Sequence, residues 1–525
     1  MFVWAKIAKS LRKINTTTAE LCRENTLIGE KNMVFGLFKK NEYADVIYKG
    51  GKIYTLNPDL PRARAVACKD GRVIAVGDED TVDEFKGKHT EIIDIEGGTM
   101  LPGFIDICGH PVLQAFQKAC LIVYDDMSEE TVLQLLSDYI KINPDKHAYF
   151  VYGFDTSILI GKTQKELQEK LDKICDDRPV VMLDISGIEG WFNTKALDVV
   201  RATVEEEEQM PIITLPYILH VLAPVDFDKL QAEIVSLSAE YCEKGYTAVF
   251  DCGAPDYLHS IYQEMVIELF QAEMLRQRFL GSFLVIRNVK PDYVGKKLIQ
   301  KKTACSETEE HVNCNVLKLI LDGARTAEPN DMKITLNSLK AYLVEAIDKG
   351  FNVHIDAVQK SDVADAIEAI FHARTSNNRK SHFTIAHPHE FTEEERMEFL
   401  VEKDTRETDF TLGDFKRKFV SLNDVKNTFD AADKLTIDAA SHLGISDDFG
   451  SIETGKYADF VVFEEDPFGL DLSKFKETKA WITIIGGDIV YNSKVDNPDE
   501  WQKKLKLKQQ EINELLEEED DEIFN

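Results

Sequence analysis

Between Met100 and Ala386 short apolar runs alternate with amphipathic stretches of helical period, and that alternation leaves few folds open. Strand character lies at Met100–Ile107, Ala148–Phe154, Val180–Ile185, Tyr246–Asp251, Phe279–Arg287, Val316–Leu321, Phe351–Ile355 and His382–Ala386. Helical period separates them, as at Glu129–Ile142, Glu166–Ile174, Phe227–Cys242, Leu336–Ile347 and Ala364–His372. Strands joined through helices run parallel, and a run that is apolar throughout is a strand covered on both faces. The middle of the chain is therefore expected to be α/β, with a parallel sheet that invites a (β/α)8 (TIM) barrel.

The ends read differently. Ala44–Leu56 carries a Gly50-Gly51 pair, read as a turn, and Arg64–Gly77 carries Asp70-Gly71, a strong hairpin signal. Glu91–Gly98, Gly450–Phe463 and Ala480–Asn492 are again β in character with Gly-centred turns. Taken by themselves, these two distant clusters fit either two small domains or one.

With 525 residues the chain can bury the core of a barrel and a smaller body together. A net charge of −31 argues against nucleic acid and anionic membrane as partners. The nine cysteines are scattered singly, an odd count without a CxxC pair, which points to a reducing, cytoplasmic compartment. No run reaches the roughly 18 apolar residues of a membrane span. Residues 1–32 are basic at first and lack the apolar core of a signal peptide, while MVFGLF from Met33 reads like a natural start. They are expected to lie outside the fold, as is the charge-segregated tail from Trp501 to Asn525.

Leu101–Pro111, LPGFIDICGHP, concentrates the chemistry. Residues spaced i, i+2 on a strand share a face, so Cys108 and His110 would point into one cavity with the small Gly109 between them. A buried strand ending in a turn, with a satisfied core histidine, explains the same residues. There is no GxxxxGK[ST] loop, no GxGxxG after a strand and no GxSxG elbow.

The LPGFID run followed by a small x-His pair resembles the opening barrel strand of the metal-dependent amidohydrolase superfamily, and the flanks resemble its family 3 branch, which includes enzymes like N-substituted formamide deformylase. There the pair is His-x-His; here the first place is taken by Cys108. VLKLILDGARTA, Val316–Ala327, closely resembles the family's Lys-hydrophobic-hydrophobic-x-Asp-Gly…Arg-Thr-Ala segment. The resemblance places Lys318 at the metal centre, where its amine is open to carboxylation, and assigns Asp322 and Arg325 to substrate or loop. A bare ammonium is costly to bury, which agrees with a neutralised or converted lysine.

GFNVHIDA, Gly350–Ala357, partly keeps the pattern G-x-x-V-x-x-H-A-x-G-D, with His354 read as its histidine and the Gly-Asp absent. HFTIAHPH places His387 at a strand end, as in the family's I-x-H segment. LDISGIEGWFNTKAL resembles the family's SGH…WVNSxAL loop over substrate, with Ile188 in place of the histidine. IETGKYADFVVF resembles its Gly-Lys-x-Ala-Asp signature, which implies a single β-sandwich built from both ends of the chain.

The resemblance thus implies an extension to residue 42, sandwich strands at 43–99 and 450–495, and a barrel over 100–449 with a subdomain inserted near 145–225. Because the two strands after the first belong to that insertion, six barrel strands are expected. Only 62 residues separate His387 from Gly450, two helices use much of them, and Phe410–Phe419 reads as a charged connector without a strand. The Gly-Ser-Asp turn whose Asp serves as ligand and base is missing.

The remaining set supports one Zn²⁺ among His110, His354 and His387, with Cys108 as a thiolate and Lys318 close by. Such a metal would lower the pKa of its water and polarise an amide or formamide carbonyl. Two functions follow. One is a metal-dependent hydrolase of carbon–nitrogen bonds other than peptide bonds, acting on a small molecule through an altered centre. The other is a catalytically impaired relative retained for binding or scaffolding. Missing strands would also leave an edge that the 410–449 connector or a second copy must cover.

Overall fold

The computed structural model describes residues 43–107, 109, 111, 120–184, 190–201, 227–253, 256–286, 288–321, 334–357, 359–376, 381–386, 410–413 and 425–496. They form two compact units. The first takes the chain up to Leu101, Ile452–Glu465 and the chain from Lys479; the second takes Pro102–Ser451 and Asp466–Thr478.

In the first unit, strands from both ends of the chain are hydrogen-bonded into one eight-stranded sheet. The strands are β1 (Val46–Tyr54), β2 (Arg62–Lys69), β3 (Arg72–Gly77), β4 (Glu91–Asp94), β5 (Thr99–Pro102), β17 (Phe460–Phe463), β18 (Ile482–Ile485) and β19 (Asp488–Asn492). Their order is β19-β18-β17-β5-β1-β2-β3, with β4 also beside β1. One buried cluster draws Tyr48, Val66, Val73, Met100, Phe460 and Ile484 from six of these strands, so one face of the sheet coils around a common core.

The turns follow their residues. Asp70 and Gly71 both have positive φ, 47° and 76°, the two-residue turn that matches strand twist. Gly486 and Gly487 repeat it at 61° and 83° between β18 and β19. Gly50-Gly51 does not form a turn. It lies inside β1, where the register shifts between Lys49 and Ile53. Gly50 has φ 84°, and this bulge lets β1 pair with β4 through Val46–Lys49 and with β5 through Lys52–Ile53.

The Gly-Lys-x-Ala-Asp segment works as a splice between hairpins. Gly455 and Lys456 exchange backbone hydrogen bonds with Val73, Ala458 N–H donates to Gly71, and Gly487 N–H donates to Ala458. Asp459 accepts from Gly486 N–H at 2.8 Å. Its residue types serve the sheet.

The second unit holds two further sheets. β7 (Leu121–Ile122), β8 (Tyr149–Phe154), β9 (Val180–Asp184) and β10 (Gly190–Phe192) form a four-stranded sheet in the order β10-β9-β8-β7. With it go α1 (Glu129–Ile142), α2 (Gln164–Asp172) and α3 (Thr194–Arg201). Ser128 caps α1 by accepting from Thr131 N–H, and Thr163 with Glu166 forms a complete capping box on α2.

The other sheet has seven strands, all parallel. In order they are β6 (Phe104–Asp106), β11 (Tyr246–Phe250), β12 (Arg278–Val285), β13 (Val312–Ile320), β14 (Asn352–Asp356), β15 (Phe383–Ala386) and β16 (Phe410–Gly413). Helices α4 (Phe227–Glu243), α5 (Asp256–Gln271), α6 (Pro291–Ala304), α7 (Leu336–Lys349) and α8 (Lys360–Ser376) accompany them.

Two expectations change here. Phe410–Gly413 is a strand, paired residue for residue with Phe383–Ala386, so among the described residues the sheet has seven strands where six were expected. Its signal is hidden in the sequence because a four-residue strand needs only its partner's open edge and no long apolar run. The second of the two helices expected between His387 and Gly450, read as continuous over about Leu422–Leu443, is broken among the described residues into α9 (Thr428–Leu435) and α10 (Ile437–Leu443), with Thr436 at φ −131° and ψ −84° between them. That break lets α10 pack against both edge strands, β6 and β16. Among the described residues of the connector, α10 therefore lies against both edges of the sheet.

Among the described residues, no helix is long and apolar enough to cross a membrane.

Candidate active site

Lys318 is delivered to its place by an irregularity between β12 and β13. Gly281 pairs with Cys314, and the next pair is Ser282 with Val316. Asn315 is therefore an extra residue in β13. Gly281 permits it, because a Cβ there would stand 2.7 Å from Asn313 O. Beyond the bulge Lys318 pairs with His354 on β14, and His354 with Thr384 on β15. Neighbours in register on parallel strands share a face, and the side chains meet.

Lys318 Nζ lies 2.7 Å from His354 Nδ1 and 2.5 Å from Asp356 Oδ1. Asp356 shares the face of His354 as its i+2 neighbour and ends the strand. On its other side His354 Nε2 faces His442 Nε2 at 3.2 Å. His442 comes from α10, whose end is fixed by Thr384 Oγ1 donating to His442 O at 2.6 Å and Asn352 Nδ2 donating to Leu443 O at 3.3 Å. Gly444, in the left-handed conformation at φ 68°, closes the helix. Lys318, His354 and His442 are 2%, 4% and 1% exposed, whereas the Asp356 side chain keeps 16%. Asp356 is thus the most exposed member of the set.

The protons follow from donor chemistry. An ammonium has hydrogens and no lone pair, so Lys318 donates to both Asp356 and His354 Nδ1. His354 then carries its hydrogen on Nε2 and donates it to His442 Nε2.

A second buried carboxyl ends β11. Desolvation pushes Asp251 up to about 7, opposed only in part by Gly253 N–H donating to its Oδ1 at 3.1 Å. Near the first strand, Tyr241 Oη donates to Asp106 Oδ2 at 2.8 Å, and Cys252 Sγ donates to Ile107 O at 3.1 Å.

Comparison with known proteins decides the family. The model of the amidohydrolase family matches residues 91–399 and 408–491. The chain belongs to the amidohydrolase family. It is 25% identical over 412 residues, 71% of this chain and 86% of the relative, to the exoenzymes regulatory protein AepA of Pectobacterium carotovorum subsp. carotovorum. It is 26% identical over 162 residues to the N-substituted formamide deformylase of Arthrobacter pascens, covering 30% of this chain and 29% of that one. An uncharacterized metal-dependent hydrolase from Pyrococcus horikoshii OT3 shares the fold, with a TM-score of 0.55 and 15% identity over 81% of this chain and 98% of that one.

With the family settled, its pattern G-x-x-V-x-x-H-A can be counted along β14. Gly350, Val353 and Ala357 fall on its Gly, Val and Ala, and the place of its histidine is then Asp356. His354 stands two residues earlier, at a variable position. The reading of His354 as the pattern's histidine is thereby corrected: it matches the residue type and not the spacing.

Of the other residues read from the sequence, Cys108, His110, Asp322, Arg325 and His387 lie outside the described residues, as does Ile188. Trp191 and Asn193, from the segment likened to a substrate loop, serve the four-stranded sheet instead. Trp191 Nε1 donates to Leu167 O at 2.7 Å. Asn193 accepts from Val180 N–H and Ala196 N–H and donates to the carbonyls of Cys175 and Arg178.

Asp356 and His442 escape the sequence reading. The spacing of the pattern is the signal that finds Asp356. A histidine among Ala439, Ala440 and Leu443 carries none until α10 is placed.

The described donors do not fit a metal ion. Lys318's ammonium holds both Asp356 Oδ1 and His354 Nδ1, and His354 Nε2 is engaged with His442 Nε2 at 3.2 Å. Among the described residues no group of three His, Cys, Asp or Glu side chains converges on one point. Tetrahedral zinc sites need three or four such donors.

Proposed function

We propose that this protein is a hydrolase of carbon–nitrogen bonds other than peptide bonds, acting on small amide or formamide substrates through a centre altered from the family's metal-dependent one. We further read the seven parallel strands as the family barrel with α10 laid across the place of its last strand. The observation that carries the functional reading is the meeting of Lys318, His354 and Asp356 on neighbouring parallel strands, with Asp356 at the solvent-facing strand end where such folds keep their chemistry. In this reading Asp356 takes a proton from the attacking water, and Lys318 offers its ammonium to the carbonyl oxygen as the tetrahedral centre forms. The carbon–nitrogen bond then breaks and the amine leaves with a proton.

A second reading, a catalytically impaired member retained for binding or scaffolding, is favoured by one feature. Two of the three ammonium hydrogens of Lys318 are already held by Asp356 and His354, and its side chain is 3% exposed, so the cage must open before a substrate oxygen can reach it.

The purified full chain, assayed on a panel of N-formyl and N-acyl amines with and without added Zn²⁺, Mn²⁺ or Co²⁺, separates them. Slow hydrolysis that Asp356→Asn abolishes supports the hydrolase. No hydrolysis of any member under any condition overturns it in favour of the second reading.

A further inference from the structure

We propose that Lys318's ammonium is this centre's built-in cation, standing between Asp356 and His354 in place of a metal ion and keeping the lysine uncarboxylated. This rests on the site of the reading above and says how it works.

Three observations carry it. The residue at the place of the pattern's histidine is Asp356, which supplies a negative charge where the family pattern supplies a neutral ligand. Its Oδ1 is 2.5 Å from Lys318 Nζ, with the two side chains 16% and 3% exposed. The next donor, His354 Nδ1, points at the same Nζ from 2.7 Å. A cation in this cage already has two acceptors at hydrogen-bond distance, and a second cation would meet like charge.

The same cage opposes carboxylation. To form a carbamate, a neutral amine must attack the carbon of CO₂; the N–C bond forms, one C=O π pair moves to oxygen, and the nitrogen loses a proton. Lys318 held as an ammonium has no lone pair to attack with. The product anion would also face the Asp356 carboxylate and the lone pair of His354 Nδ1, two acceptors with the lysine's own charge no longer between them. Asp356 is in this sense a positioning residue for Lys318.

Two measurements on the full chain test this. In the first, the parent and Lys318→Met are dialysed against Zn²⁺ and their metal content is determined. If the lysine is the built-in cation, the variant holds at least as much metal as the parent. If the lysine is a metal ligand, the variant loses metal that the parent holds. In the second, the parent and Asp356→His are incubated with ¹³C-bicarbonate and Zn²⁺ and examined by ¹³C NMR. The expected result is no carbamate carbon in the parent; its appearance in Asp356→His strengthens the case. A carbamate carbon in the parent, or one metal per parent chain that Lys318→Met removes, overturns the proposal. The parent's own spectrum decides even where a variant does not fold. Neither readout depends on turnover, so failure of the hydrolase reading leaves this result standing, and the reverse.

Discussion

Removing the Lys318–Asp356 pair one partner at a time should expose how the site is held. At 2.5 Å, with an effective dielectric constant of about 20, the attraction is about 7 kcal/mol before solvation is counted. Burying two ions costs several kcal/mol each, so the pair as a whole sits close to balance with an apolar pair of the same size. A single deletion does not. Lys318→Met is nearly isosteric and leaves a carboxylate 16% exposed, which can recruit some water; about 3 kcal/mol of destabilisation is expected. Asp356→Leu leaves an ammonium 3% exposed, and about 4–5 kcal/mol is expected. The double variant should recover most of this and lie within about 2 kcal/mol of the parent, because neither charge of the pair remains. Urea unfolding of all four proteins at one pH, followed by the same probe, yields the coupling energy. Additive losses would refute the reasoning, since independent sites do not couple; the two side chains would then not form a buried ion pair in solution.

Three further outcomes are expected. Asp251 is protonated in the folded chain up to about pH 7 but ionises near 4 when unfolded, so folding stability falls as pH rises between those values and the penalty is complete above about 7. Asp251→Asn keeps an acceptor for Gly253 N–H and should therefore gain on the parent by a few kcal/mol between about pH 4 and 8, at about 1.4 kcal/mol per pKa unit; a difference in melting that does not vary with pH would reject the buried acid. Gly153→Ala should destabilise by about 3 kcal/mol or more, since Gly153 has φ 113° and a Cβ there would sit 2.2 Å from Val123 O, and an unchanged denaturation midpoint would show that β8 is not built this way. Asn193→Ala should cost about 3 kcal/mol by taking the side-chain partner from the buried backbone donors of Val180 and Ala196 and from the carbonyl of Cys175, measured by the same midpoint; a loss under about 0.5 kcal/mol would contradict those bonds.

What was legible in the sequence was what local chemistry decides. The alternation of apolar runs with helical period marked β8, β9, β11, β12, β14 and β15 to within a residue or two, and α1 at Glu129–Ile142, where Ser128 can cap it. Asp70-Gly71 announced its hairpin because two residues of positive φ are a local demand. The amidohydrolase resemblance was likewise legible, because it rests on short motifs, and it pointed to Lys318 and His354. The rest depended on partners far away in the chain. Gly50-Gly51 became a bulge because β1 changes neighbours there, and Phe410–Gly413 became a strand because β15 offered an open edge. Asn315 shifts the register of β13, and with it the face on which Lys318 appears. His442 reaches His354 across 88 residues of sequence, by way of a helix break at Thr436. Period and propensity act over a few residues, whereas register, edge pairing and the company of a buried charge are settled only when distant segments compete for the same space.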